Sequence, residues 1–282
     1  MPFSKFIAIG IQDLFKTGLV RAILSGEHAE WFDALVMGLG FGLCILISYL
    51  LGSINTALIV SKLFFHDDVR EHGSGNAGTT NILRTYGKKP AIITFAGDAL
   101  KGVLAVCVAG LIFGYPITEF GYFHLVTAVY MAGFFCIFGH IFPLFSHFRG
   151  GKGFATLAGV LAALNPFLFL VLFCMFVAMV LCSHFISLSS VVVALFYPLM
   201  LSVVCEINTL HMPFGNDVLF AVAMGVLIAW AHRSNLRRIF DGNERKFYLF
   251  KPKTLIASCS ENENAAPADS EDDLPAEDST EA

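Results

Sequence analysis

Between Phe154 and Cys205 the chain carries no Asp, Glu, Lys or Arg. A bilayer core about 30 Å thick is crossed by roughly 20 apolar residues, so this run is too long for two ordinary spans. Asn165-Pro166 and the Ser- and His-containing stretch Ser183–Ser190 divide it into three pieces. The first, Phe154–Leu164, would cover only about 16 Å at the helical rise, too little to cross. It reads as a half-helix whose N-terminus points at the preceding Gly150-Gly151-Lys152-Gly153.

Other segments share this character. Ala34–Ser61 and Phe120–Phe148 are free of charge, Pro90–Ile117 is interrupted only by Asp98 and Lys101, and Val218–His232 forms a last apolar run. The pattern predicts an all-α integral membrane protein with seven membrane segments, counting the half-helix. A mean hydropathy of +0.71, with 56% hydrophobic and 14% charged residues, agrees. The 29 Phe fit lipid-facing and inter-helix packing and call for no cofactor.

Charge sets the direction of insertion. Lys62, Arg70, Arg84, Lys88 and Lys89 lie in the first polar loop and Arg149 and Lys152 in the second. Arg233, Arg237, Arg238, Arg245, Lys246, Lys251 and Lys253 follow the last span. The alternate connections, Gly114–Gly121 and Glu206–Asp217, hold no Lys or Arg. The positive-inside rule then places both loops and the C-terminus in the cytoplasm and the N-terminus outside.

The ends differ from this membrane domain, taken as residues 34–250. Residues 1–33 mix apolar and charged positions and suit an amphipathic helix on the membrane surface, with Met37 an alternative start. From Ser258 to Ala282 there are nine acidic and no basic residues, so 251–282 reads as a disordered acidic tail. The seven Cys are scattered, without a Cys-x-x-Cys or Cys/His cluster. They read as small buried hydrophobes, with neither a zinc site nor a disulfide framework expected. His28-Ala29-Glu30-Trp31-Phe32-Asp33 matches the His-x-x-x-x-Asp spacing of thioester-using acyltransferases. It precedes the first span on the predicted outer side, away from every cationic loop, and is set aside.

The polar loops carry the chemistry. Glu71-His72-Gly73-Ser74-Gly75-Asn76-Ala77-Gly78-Thr79-Thr80-Asn81-Ile82-Leu83-Arg84 combines glycines with fixed donors and a cation. A backbone nest with Ser, Asn and Arg donors binds anions, although a flexible interhelical loop has the same composition. His147-Phe148-Arg149-Gly150-Gly151-Lys152-Gly153 is a second loop of this kind, and His232-Arg233-Ser234-Asn235 ends the last span on the same side. The second loop leads into a helix, which favours phosphate, but it lacks the Walker A spacing. Asp98 and Lys101 share a helix face and make either a structural ion pair or part of the site. His232, and beyond it Glu71 or His72, are the available bases.

Taken together, three ordered blocks resemble the bacterial acyl-phosphate:glycerol-3-phosphate acyltransferases of the PlsY type. They are Gly52-Ser53-Ile54 through Arg70–Arg84 to Asp98-Ala99-Leu100-Lys101-Gly102; Gly139-His140-Ile141-Phe142-Pro143 with Phe148–Thr156; and His232-Arg233-Ser234-Asn235-Leu236-Arg237-Arg238. The resemblance covers about residues 39 to 247. It implies transfer of a fatty acyl group from acyl phosphate to the 1-hydroxyl of glycerol 3-phosphate, giving lysophosphatidic acid and phosphate, the first acylation of phospholipid synthesis. It implies catalytic roles for Ser74, Arg84, His232 and Asn235. Substrate binding would fall to Gly73, Gly75, Asn76, Asn81, Lys101, Gly150, Gly151, Lys152 and Gly153. No metal or cofactor is implied, since acyl phosphate is already activated. The implied setting is a bacterial inner membrane with a cytoplasm-facing site. An acyl-carrier-protein-dependent enzyme would supply acyl phosphate, and nucleic acid plays no part. Two positions depart from the family pattern: Ser234, where Glu is common, which bears on local packing, and Asn55, where Pro is frequent. An organophosphate transporter built on broken helices is the alternative.

Overall fold

Within a bilayer every backbone N–H and C=O needs a partner inside the protein, which helices supply. The computed structural model describes residues 18–24, 29–114, 119–207 and 215–248, and all regular structure there is helical. In chain order the helices are α1 Leu19–Ile23, α2 Glu30–Ser53, α3 Thr56–Phe65, α4 Thr79–Thr85, α5 Lys88–Phe113, α6 Glu119–Ile141, α7 Phe154–Leu164, α8 Pro166–Ser183, α9 Ile186–Ile207, α10 Asn216–Ala231 and α11 Arg233–Phe240. Five spans are long and apolar enough to cross a membrane, with α2 and α3 together forming the first. Among the described residues the α10–α11 pair, bent by 54°, gives a sixth if it is counted as one span, and α7 is a shorter apolar helix. Most of residues 1–33 and all of the tail 251–282 lie outside the described residues, as do parts of the expected connections 114–121 and 206–217.

Local physics adds a break to two of the expected spans and corrects the reading of the cysteines as buried. The apolar run Ala34–Ser61 is not one helix: it breaks at Ile54–Asn55. There the Asn55 side chain accepts the Leu58 N–H at 3.1 Å and starts α3 as its cap. The run Phe120–Phe148 stops being helical at Ile141, because Pro143 removes a donor and restricts the residue before it. The cysteines do not form one class. Cys44 and Cys136 are buried, whereas Cys107, Cys174 and Cys182 are exposed on the apolar surface. That surface also shows Leu39, Ile92, Phe167 and Leu219, each more than 60% exposed, as a lipid-facing exterior requires.

The breaks expected at Asn165-Pro166 and Ser183–Ser190 are present. Asn165 caps α8 by accepting the Leu168 N–H at 3.0 Å, with Pro166 in the first turn. The half-helix α7 sits in the middle of the main core. Leu157, Val160 and Leu161 pack with Ile137 of α6, Leu172 of α8, Tyr197 of α9 and Met224 and Ile228 of α10. Against α5 it makes backbone contact: a Cβ on Gly159 would lie 1.9 Å from the Ala99 oxygen, and one on Gly102 2.5 Å from the Thr156 oxygen. Small residues at a crossing allow this approach, and packing drives association where lipid removes the hydrophobic incentive. The short helix, and the loop in front of it, are therefore fixed against α5.

Candidate active site

The first polar loop is shaped by Asn81. Its side-chain oxygen accepts the Ser74 N–H at 2.9 Å, and its amide donates to the carbonyls of Val69 at 2.8 Å and His72 at 2.9 Å. Gly73 and Gly75 take left-handed backbone angles, φ 60 and 69, that let the loop close around that amide. Asn81, expected to bind substrate, also holds the loop, and both it and Ser74 line a cavity. Asn55 of the helix break ties in from below, its amide 3.5 Å from the Ala77 oxygen.

The second loop is fixed by the Gly151 N–H donating to the His140 carbonyl at 3.1 Å. Gly153, with φ +84, turns the chain into α7. Its neighbour Lys152 reaches across to the third segment and donates to the Asn235 side-chain oxygen. The Asn235 amide in turn donates to Glu244 at 2.7 Å. Glu244 also accepts from Ser187 at 3.0 Å and Arg238 at 2.8 Å. Burial pushes the Glu244 carboxyl up, but donors from Asn235, Arg238 and Ser187 outweigh it and hold it below the usual range. Burial, with Arg238 and Arg84 nearby, pushes the Lys152 ammonium down to about 8. His232 packs under the same network with Nδ1 2.8 Å from the Ile228 carbonyl. A carbonyl only accepts, so Nδ1 carries the proton and Nε2 keeps its lone pair.

All three segments line one cavity of about 250 Å³. Ser74, Asn76, Asn81, Arg84, Lys152, Gly153, His232, Asn235 and Glu244 form its polar end. Arg84 makes no hydrogen bond or ion pair among the described residues, which leaves its planar donors free for an anion. The cavity then runs between α7, α8 and α9, where Leu157, Ala158, Leu161, Phe169, Leu172, Phe173, Phe176 and Val193 line it, with Phe95 of α5. A polar head site thus opens into an apolar groove. Gly75 and Gly150 face a second, outer hollow beside Arg70 and Arg149. Lys101 does not line the cavity. It is buried, donating to the Gly52 and Ile54 oxygens at 3.1 and 2.8 Å and pairing with Asp98 at 3.0 Å. Of the candidate bases in the first loop, His72 is paired with Asp67 at 2.8 Å, and Glu71 lines the outer hollow.

Residues 42–242 match the family model described as glycerol-3-phosphate acyltransferase. The chain belongs to this family. A glycerol-3-phosphate acyltransferase of Streptococcus thermophilus is 41% identical over 205 residues, 72% of this chain and 91% of that one. The Bacillus subtilis enzyme is 35% identical over 207 residues, 72% of this chain and 96% of its own. Among solved structures, crystal structures of PlsY (YgiH), an integral membrane glycerol 3-phosphate acyltransferase, superpose on it. The glycerol 3-phosphate form gives a TM-score of 0.64 at 32% identity, covering 77% of this chain and 98% of that chain. The lysophosphatidic acid form gives 0.61 at 31%, covering 74% and 95%. Like them, this acyltransferase-family chain is a multi-pass membrane protein.

The structure bears on one of the two departures noted in the sequence. Ser234 is exposed on α11 and takes no part in the network, so packing around Asn235 depends on a different residue. That residue is Glu244, which the sequence reading passed over. The signal was there: two acids, Asp241 and Glu244, set among Arg238, Arg245 and Lys246.

Proposed function

We propose that the protein transfers a fatty acyl group from acyl phosphate to the 1-hydroxyl of glycerol 3-phosphate. The observation that carries this reading is the single cavity, cationic at one end and apolar at the other, in a chain of this family. In this reading Arg84 and Lys152 hold the phosphate groups, while Ser74 and the loop amides add donors. His232 Nε2 and Asn235 orient the hydroxyl. The hydroxyl oxygen attacks the carbonyl carbon, the bond from that carbon to the phosphate oxygen breaks, and the hydroxyl proton leaves with the phosphate. The mixed anhydride is already activated, so charge stabilisation and positioning are the tasks left to the protein. The acyl chain lies between α7, α8 and α9.

The cationic loops suit a cytoplasm-facing site in a bacterial inner membrane, with the N-terminus outside and an acidic tail following residue 250. Acyl phosphate would be supplied by an acyl-carrier-protein-dependent enzyme. A C-terminal tag digested by protease on right-side-out cells would contradict this orientation.

The test is release of lysophosphatidic acid by the purified protein from glycerol 3-phosphate and palmitoyl phosphate, with palmitoyl-CoA in parallel and EDTA throughout. Product from acyl phosphate alone, abolished by Arg84→Ala, supports the reading. Product only from palmitoyl-CoA would overturn the donor. No product from either, with glycerol 3-phosphate moved across liposomes, would make transport the function.

A further inference from the structure

Beneath the two glycine loops, Lys101 Nζ has four neighbours. Three are oxygens: those of Gly52, Ile54 and Asp98, at 3.1, 2.8 and 3.0 Å. The fourth is His140 Nδ1 at 2.7 Å. The ammonium's three donors go to the Gly52 and Ile54 carbonyls and to His140 Nδ1, while Asp98 Oδ1 is an ion-pair partner 3.0 Å from the ammonium and 3.6 Å from Nδ1. A proton on His140 Nδ1 would point straight at that ammonium. The Nδ1 atom therefore presents its lone pair, and the neutral ring carries its proton on Nε2.

The ring is only 3% exposed, yet it edges the cavity. Its Nε2 has no hydrogen-bond partner among the described residues. A Cβ at Gly151 would stand 2.1 Å from Nε2 and 3.0 Å from the Ala77 oxygen. Only a glycine can sit against that ring edge, where the first and second loops meet.

The geometry points to His140 as a further anion-binding donor in this cavity: a neutral imidazole, locked as Nε2–H by Lys101, that hydrogen-bonds an oxygen of the bound acyl-phosphate group. This rests on the acyl-transfer reading above. Lys101 and Asp98 act through the ring and are positioning residues. A neutral donor adds stabilisation to the oxyanion without placing a second buried cation beside Lys101.

Two substitutions separate the ring's edges. In His140→Asn the side-chain oxygen can still accept from Lys101, but nothing reaches the Nε2 position. In His140→Gln the amide nitrogen reaches that position and donates. His140→Asn, eluting and melting in detergent like the parent, should lose about 10²-fold in kcat/KM with palmitoyl phosphate, the cost of one oxyanion donor. His140→Gln should recover about a factor of ten of that loss, as part of one donor restored. His140→Asn within about threefold of the parent would overturn the proposal. If neither variant folds, the unmodified protein decides, using ring-¹⁵N-labelled histidine and inorganic phosphate as probe. A buried neutral histidine protonated on Nε2 and shifted by phosphate supports the donor. The opposite tautomer, or no shift at saturating phosphate, overturns it. A parent protein that makes no lysophosphatidic acid defeats the acyl-transfer reading, and the phosphate titration still judges the donor separately.

Discussion

Lys152 donates to the side-chain oxygen of Asn235, 83 residues further along the chain. The contact joins the loop before the half-helix to the short helix α11 after the last long helix, and it turns two remote sequence motifs into one charged surface.

The first consequence is a pH dependence. Lys152 sits at about 8, below its ordinary 10.5. If its ammonium holds substrate phosphate, kcat/KM falls as pH rises through about 8, and Lys152→Arg moves the fall upward. The folded state binds fewer protons than the unfolded state between about 8 and 10.5, so this group makes stability rise with pH in that window. Activity and melting temperature should therefore move in opposite directions across it. A parallel loss of both would trace the profile to unfolding instead.

Glu244 accepts from Asn235, Ser187 and Arg238. Removing it in Glu244→Ala leaves buried donors unmatched, at about 1–3 kcal/mol. Asn235 and Lys152 then lose their orientation, and kcat/KM should drop by about tenfold or more, one decade for each 1.4 kcal/mol. Ser234→Ala, on the exposed face of α11, should stay within about twofold. Kinetics of both variants beside their thermal midpoints in detergent test this, and equal effects would remove Glu244 from the site.

The apolar groove makes a prediction about chain length. Ala158 lines it between Phe154 and Leu161. Ala158→Phe should obstruct the groove and reduce product from palmitoyl phosphate by about tenfold, within the range that a few methylenes are worth in a pocket. Octanoyl phosphate should be little affected. A chain-length series with both proteins reads this directly.

The buried pair Asp98–Lys101 should behave as a unit. Asp98→Asn leaves an unmatched ammonium among backbone oxygens and should destabilise by about 3–5 kcal/mol. Combining it with Lys101→Met should recover a large part of that loss. Thermal midpoints in detergent for the two singles and the double give the coupling, and strict additivity would show that the pair is not coupled.

Much of this was legible before the fold was known. Asn165-Pro166 and the glycines before Phe154 mark the half-helix because they act locally, through a cap and a left-handed turn. The convergence of Ser74, Arg84, Lys152, His232 and Asn235 was expected from charge asymmetry, by which the positive-inside rule assigns their segments to one side. What escaped was decided by partners far away in sequence. The break at Ile54–Asn55 lies in an unbroken apolar run, and its free carbonyls are taken up by Lys101. Lys101 and Asn81 carry polar groups that suit a substrate equally well, and only the fold gives those groups to backbone carbonyls and a loop. The groove helices could not be assigned because α8 is apolar on nearly every side.

The carboxylate that steadies Asn235 arrives at residue 244, after every apolar helix of the described chain has been made. A nascent chain ending at Phe240 would own every apolar helix among the described residues and still lack the last piece of its site. Biogenesis thus has two endpoints, insertion first and a clasp closed from the water side later, and a ribosome-stalled intermediate between them would be embedded but idle.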